Sequence, residues 1–62
     1  MEIKIRFKIG ARVCFIEDGK MLFDEVRNMT VYVNEDGTHS VIYYFKSTGT
    51  YKWEGEICPA AK

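Results

Sequence analysis

Histidine occurs once in the 62-residue chain, proline once and cysteine twice, and each shortage removes a class of explanation. One histidine and two cysteines with no CxxC pair cannot supply the four ligands of a structural zinc site, so no metal is expected. No apolar run approaches the ~20 residues that a bilayer-spanning helix needs. The opening MEIKIRFKIG alternates charged with apolar groups where an export signal would be continuously apolar. The expectation is therefore a cytoplasmic protein with no membrane partner. Gly-rich phosphate loops, dinucleotide fingerprints and metalloprotease motifs are absent as well, and no cofactor is expected.

Charge of one sign is also missing, with nine basic and nine acidic residues. The distribution is uneven: residues 1–12 hold Lys4, Arg6, Lys8 and Arg12 against Glu2 alone, whereas the remainder carries five cations and eight acids. The balance lowers the expectation of nucleic-acid binding but leaves a local basic strip. Cys14 and Cys58 could form one disulfide if the first and last strands are neighbours. The commoner reading for a cytoplasmic chain is two reduced, buried small hydrophobes.

What is present is apolar material, 47% of the chain, which argues against disorder. A chain this short makes one domain, spanning residues 1–62, near the lower size limit for a core without staples. Burial of roughly 6,300 Å², about 60% of it apolar, yields roughly 95 kcal/mol. Ordering the chain costs about 93 kcal/mol. A large apolar residue left on the surface therefore lacks an easy stability explanation.

The pattern is that of strands. Ile3, Ile5, Phe7 and Ile9 alternate with Glu2, Lys4, Arg6 and Lys8, as in a strand with one buried face. Gly10 marks a bend before ARVCFI. EDG at 17–19, EDG at 35–37 and STG at 47–49 each fit a three-residue hairpin loop whose glycine takes the left-handed conformation. Counting outward from those loops pairs Phe15 with Met21, Val13 with Phe23, Val31 with Val41, Met29 with Tyr43, Phe45 with Tyr51 and Tyr43 with Trp53. All of these, with Ile57, then face one core. The phase of Val26 does not fit, so a bulge or kink is expected in DEVRN at 24–28. No glycine or proline interrupts Met21 to Val33, and Pro59 can stop edge pairing at the tail. The reading is all-β: a small antiparallel barrel of four to five strands.

IGARVCFIEDGKMLFDEV, MTVYVNEDGTHSVIYYF and YKWEGEI together make the chain similar to small stand-alone SH3-like barrels of bacterial or phage type, and more distantly to KOW- and Tudor-like modules. The likeness lies in strand order and turn spacing over nearly the full chain. It implies a small barrel fold; the ALYDY segment of peptide-binding SH3 domains has no counterpart in these residues.

For catalysis, His39 is the one base candidate for neutral pH, and a turn-edge histidine without chemistry is the simpler reading. Asp24/Glu25 and Glu54/Glu56 read as solubilising charge rather than a hydrolytic or cation-binding pair. No catalytic residue is assigned. Binding is better served. Tyr32, Ile42 and Tyr44, with Lys52 beside them, are expected on the outer sheet, as a protein-binding patch or equally as cross-strand packing that shields the backbone. Lys4, Arg6 and Lys8 form a basic strip that could meet nucleic-acid phosphates or an acidic protein, with edge charge that blocks sheet extension as the favoured reading. The expected function is a non-enzymatic module that binds another protein or itself, with a phage or mobile-element inhibitor or adaptor as the extension. Nucleic-acid binding through the strip is the alternative, followed by a structural homo-oligomer.

Overall fold

The uninterrupted run from Lys20 to Val33 becomes a single 14-residue strand, and the sheet is organised around it. In the computed structural model, which describes residues 4–60, the order is β1 (Arg12–Glu17), β2 (Lys20–Val33), β3 (His39–Phe45), β4 (Tyr51–Trp53), a 3-10 turn (Glu54–Glu56) and β5 (Ile57–Pro59). The strands pair antiparallel in the order β4-β3-β2-β1-β5 and curl into a half-barrel. This is the all-β architecture of a small SH3-like barrel. The first part of β2 pairs with β1 and its second part with β3.

A bulge between Val26 and Asn28 separates the two parts. Because side chains alternate along a strand, one extra residue inverts the phase. Leu22, Asp24 and Val26 therefore face the same core as Met29 and Val31. The bulge falls inside the expected segment, but Val26 is in the core and the residues of opposite phase, Met21 and Phe23, are out. Phe7, Val13, Phe15, Val26, Val41, Tyr43, Phe45 and Ile57 make the buried cluster. Phe15 on β1 stacks on Phe45 of β3 at 4.3 Å, across the curl.

Turn length explains which rings are inside. The first hairpin closes Glu17 onto Lys20, so its loop is Asp18-Gly19 alone, with φ of 53° and 78°. Two successive positive φ values are the signature of the tight turn that matches strand twist. This loop is one residue shorter than expected, and β2 is paired one step over: Phe15 faces Leu22 and Val13 faces Asp24. The second hairpin matches expectation, with Val31 opposite Val41 and Met29 opposite Tyr43. Its loop is tied by Gly37 N–H to Asn34 O and Asn34 N–H to Thr38 O. The third loop is one residue longer than expected: Phe45 N–H reaches Thr50 O, and Tyr44 pairs with Tyr51.

The N-terminal segment departs most from its pattern. Residues 4–11 form no strand, and Glu2 and Ile3 lie outside the described residues. Phe7 alone is buried, while Ile5 and Ile9 are exposed. A turn closed by Ala11 N–H to Lys8 O bends the chain. The Arg6 and Phe7 amides bond to side chains of Glu54 and Tyr43 instead of a neighbouring strand. Alternation here serves a strap that inserts one ring, not a sheet edge.

Asp24 is 3% exposed. A buried carboxylate needs donors, and it has three: the N–H groups of Glu25 (2.6 Å), Ser47 (3.0 Å) and Thr48 (2.8 Å). Burial alone would raise its pKa, but these donors hold it down at about 2, against 3.8 for the free group. Since the folded pKa is depressed, this stabilisation is complete above about pH 4 and is lost as pH falls toward 2. Asp24→Ala should cost about 2–4 kcal/mol in urea denaturation at neutral pH, because the loop amides lose their acceptor. The gap between wild type and variant should narrow by about 2 kcal/mol between pH 5 and pH 2.

Candidate functional site

The two-residue period of β3 places Ser40, Ile42 and Tyr44 on the face opposite Val41, Tyr43 and Phe45. The ladder adds Asn28, Thr30 and Tyr32 from β2, and Tyr51 and Trp53 from β4. Four aromatic rings thus share one outer face. Tyr32 lies opposite Ser40, whose small side chain leaves it room to lean toward Trp53; the two rings are 6.0 Å apart and tilted 46°. Tyr44 and Tyr51 are cross-strand partners with rings 5.9 Å apart, and Thr30 Oγ1 donates to the Tyr44 hydroxyl at 3.4 Å.

Tyr32, Tyr51 and Trp53 are 46%, 57% and 46% exposed, Tyr44 is half-buried, and Ile42 is 7% exposed. Ile42 therefore has the expected phase but is the buried floor of the patch, not a displayed residue. Tyr51 and Trp53, expected in the core, are instead exposed on this face, because the longer third loop shifts β4 by one step. Lys52 is corrected in the opposite sense. It pairs with Tyr43, has the inward phase, and reaches Glu17 at 2.7 Å, an ion pair that raises its pKa.

The basic residues do not form a row. Lys4, Arg6 and Lys8 are all exposed, but on the N-terminal strap; the Arg6 guanidinium lies 4.8 Å from the centre of the Phe7 ring. No ladder position of the aromatic face carries Lys or Arg.

Beside Trp53, a cleft of about 240 Å³ is lined by His39, Ser40, Val41, Glu54 and Gly55. Its two titratable side chains are already engaged. His39 Nε2 lies 3.1 Å from Lys4 O. Glu54 Oε2 accepts from the Arg6 amide at 3.1 Å and from the Tyr43 hydroxyl at 2.5 Å. Burial of Tyr43, reinforced by the Glu54 carboxylate, pushes its pKa up to about 12, so it stays a neutral donor. Glu56 accepts the Trp53 amide, and Asp24 is consumed by the third loop. These carboxylates fasten backbone, and among the described residues no cluster of three or more metal-ligating side chains comes together.

A second apolar surface lies on the other half of the sheet. The short first turn leaves Met21 and Phe23, both expected inside, 57% and 55% exposed beside Ile16 at 54%. Comparison with known proteins returned no matching family model, no matching curated protein and no matching solved structure.

Replacing Tyr51 and Trp53 by serine should cost about 1–2 kcal/mol each in equilibrium denaturation, as only half of each ring is removed from solvent. Phe45→Ala, at 0% exposure, should cost about 3–5 kcal/mol and leave little folded protein. Alkaline titration followed by tyrosine absorbance should show one tyrosine ionising near pH 12, and that step should disappear in Tyr43→Phe.

Proposed function

We propose that the protein is a non-enzymatic binding module that engages another protein through the aromatic face of β2, β3 and β4. One observation carries this reading: Tyr32, Tyr44, Tyr51 and Trp53 share a sheet face on which three rings are about half exposed. In a chain with little apolar material to spare, rings held outside the core are better explained by a partner than by stability. Tyrosine and tryptophan are enriched in contact patches that become desolvated, and two tilted ring pairs over a buried isoleucine form a pre-ordered surface of that type.

The face carries no cation at its ladder positions, and Arg27 in the bulge reaches only its Asn28 end, which favours a protein over a nucleic-acid backbone. Nucleic-acid binding would fall instead to Lys4, Arg6 and Lys8 on the strap. The likeness to small SH3-like barrels of bacterial or phage type extends the proposal to an inhibitor or adaptor of a phage or mobile element working in the cytoplasm. That extension rests on size, strand order and turn spacing.

Affinity capture from the source cell, with a Tyr32→Ser/Tyr51→Ser/Trp53→Ser variant as counter-bait, tests the reading. The variant should stay folded and bind the captured partner at least about 10-fold more weakly, with little dependence on salt. Equal capture by both proteins would sink the proposal. Self-association lost in the variant would identify a second copy as the partner. Tight, salt-sensitive binding of single-stranded nucleic acid that is abolished by Lys4→Gln/Arg6→Gln/Lys8→Gln would transfer the function to the strap.

A further inference from the structure

Cys14 and Cys58 are direct partners in the β1–β5 ladder, and both are free thiols. Their neighbours settle which way they point. Val13, Phe15 and Ile57 are buried at 2% exposure or less, so the two cysteines project together to the outer face. Cys14 is covered at 9% exposure while Cys58 is exposed; Cys58 is therefore not the buried small hydrophobe that the sequence suggests.

The pair type follows from the hydrogen bonds. Ala60 N–H donates to Arg12 O at 3.2 Å, and antiparallel pairs alternate between hydrogen-bonded and non-hydrogen-bonded. Cys14 and Cys58, two positions along, are then a hydrogen-bonded pair. Residues opposed in this way have Cα atoms about 5.5 Å apart, inside the Cα range of a disulfide, and Cβ atoms about 5 Å apart, so closing the bond draws the short edge strand β5 inward by about 1 Å. The intervening non-hydrogen-bonded position is Pro59, where the missing N–H costs nothing.

We propose that Cys14 and Cys58 are a thiol–disulfide modification site, closed by a low-molecular-weight disulfide such as oxidised glutathione. Chemistry starts at the exposed member. The Cys58 thiolate attacks one sulfur of glutathione disulfide, forming a mixed disulfide and expelling one glutathione thiolate. The Cys14 thiolate then attacks the Cys58 sulfur and expels the second. Two protein thiols are oxidised, one glutathione disulfide is reduced to two glutathiones, and the two thiol protons leave with them.

Closure joins β5 covalently to β1. This strand has three residues and a free edge, yet it carries the core residue Ile57. The bond closes most of the chain into one loop, so the unfolded state loses freedom, while the native ladder has to give only at its three-residue edge strand. The pair lies on the β1–β5 half of the sheet, outside the aromatic face, and the inference stands independently of the proposed function.

The test is incubation of the full chain in glutathione buffers of graded redox ratio, followed by intact mass and thermal unfolding. Oxidised protein should be monomeric on a non-reducing gel and lighter by two hydrogens, with Tm raised by about 10 °C or more over the reduced form. Cys14→Ala should stop at a single glutathionyl adduct on Cys58 with no such rise. Cys58→Ser, changed at an exposed position, should keep the reduced wild-type Tm in every buffer. Accumulation of the wild-type mixed disulfide, disulfide-linked dimers, or an intramolecular bond that leaves Tm unchanged or lowers it would each overturn the proposal.

Discussion

The change of side-chain phase within β2 is the constraint on which the structure depends. One strand serves both halves of the sheet, and the bulge between Val26 and Asn28 lets Leu22, Asp24 and Val26 face the same interior as Met29 and Val31. Without it, one half of β2 would turn its buried face to solvent. The curl that brings Phe15 onto Phe45 across the intervening strand would then have no common core to close. The same inversion generates the two outer surfaces, Met21 and Phe23 on one half and Thr30 and Tyr32 on the other.

Small size makes the polar fastenings matter more than they would in a larger domain. Long-range hydrogen bonds hold what apolar contact leaves loose. Asp24 on β2 gathers the loop between β3 and β4. Tyr43 and Glu54 bind the strap that seats Phe7, whose ring meets Tyr43 edge-on at 5.4 Å. Lys52 and Glu17 add a tie between strands at different positions in the sheet, a partly exposed ion pair of modest worth. The carboxylates that could suggest hydrolysis are thus employed in architecture.

This division of labour frees the aromatic face. Ile42 is buried beneath it, while Tyr32 leans on Trp53 and Tyr51 on Tyr44. A surface made this way is ordered before it meets anything, so little side-chain entropy remains to be lost on contact.

Strand content beyond residue 11, the positions of the three turns, the left-handed glycines at 19, 37 and 49, the location of the bulge and the outward phase of Tyr32 and Tyr44 were legible from residue type and period alone. These are local properties, set by backbone sterics within a few residues. Loop length was not local. A glycine-bearing segment can close over two, three or four residues, and the alternatives differ by less than the burial of one ring. Hydrophobic pattern favours Phe23 inside and Asp24 outside; the reverse holds because Ser47 and Thr48, more than twenty residues away, supply the donors that a buried carboxylate requires. Likewise, Trp53 stands outside because β4 follows a four-residue loop, and the alternation of Lys4 to Ile9 becomes a strap because Tyr43 and Glu54 capture its amides. Which rings are core and which are displayed was decided by satisfying polar groups across the fold, a condition no single stretch of sequence contains.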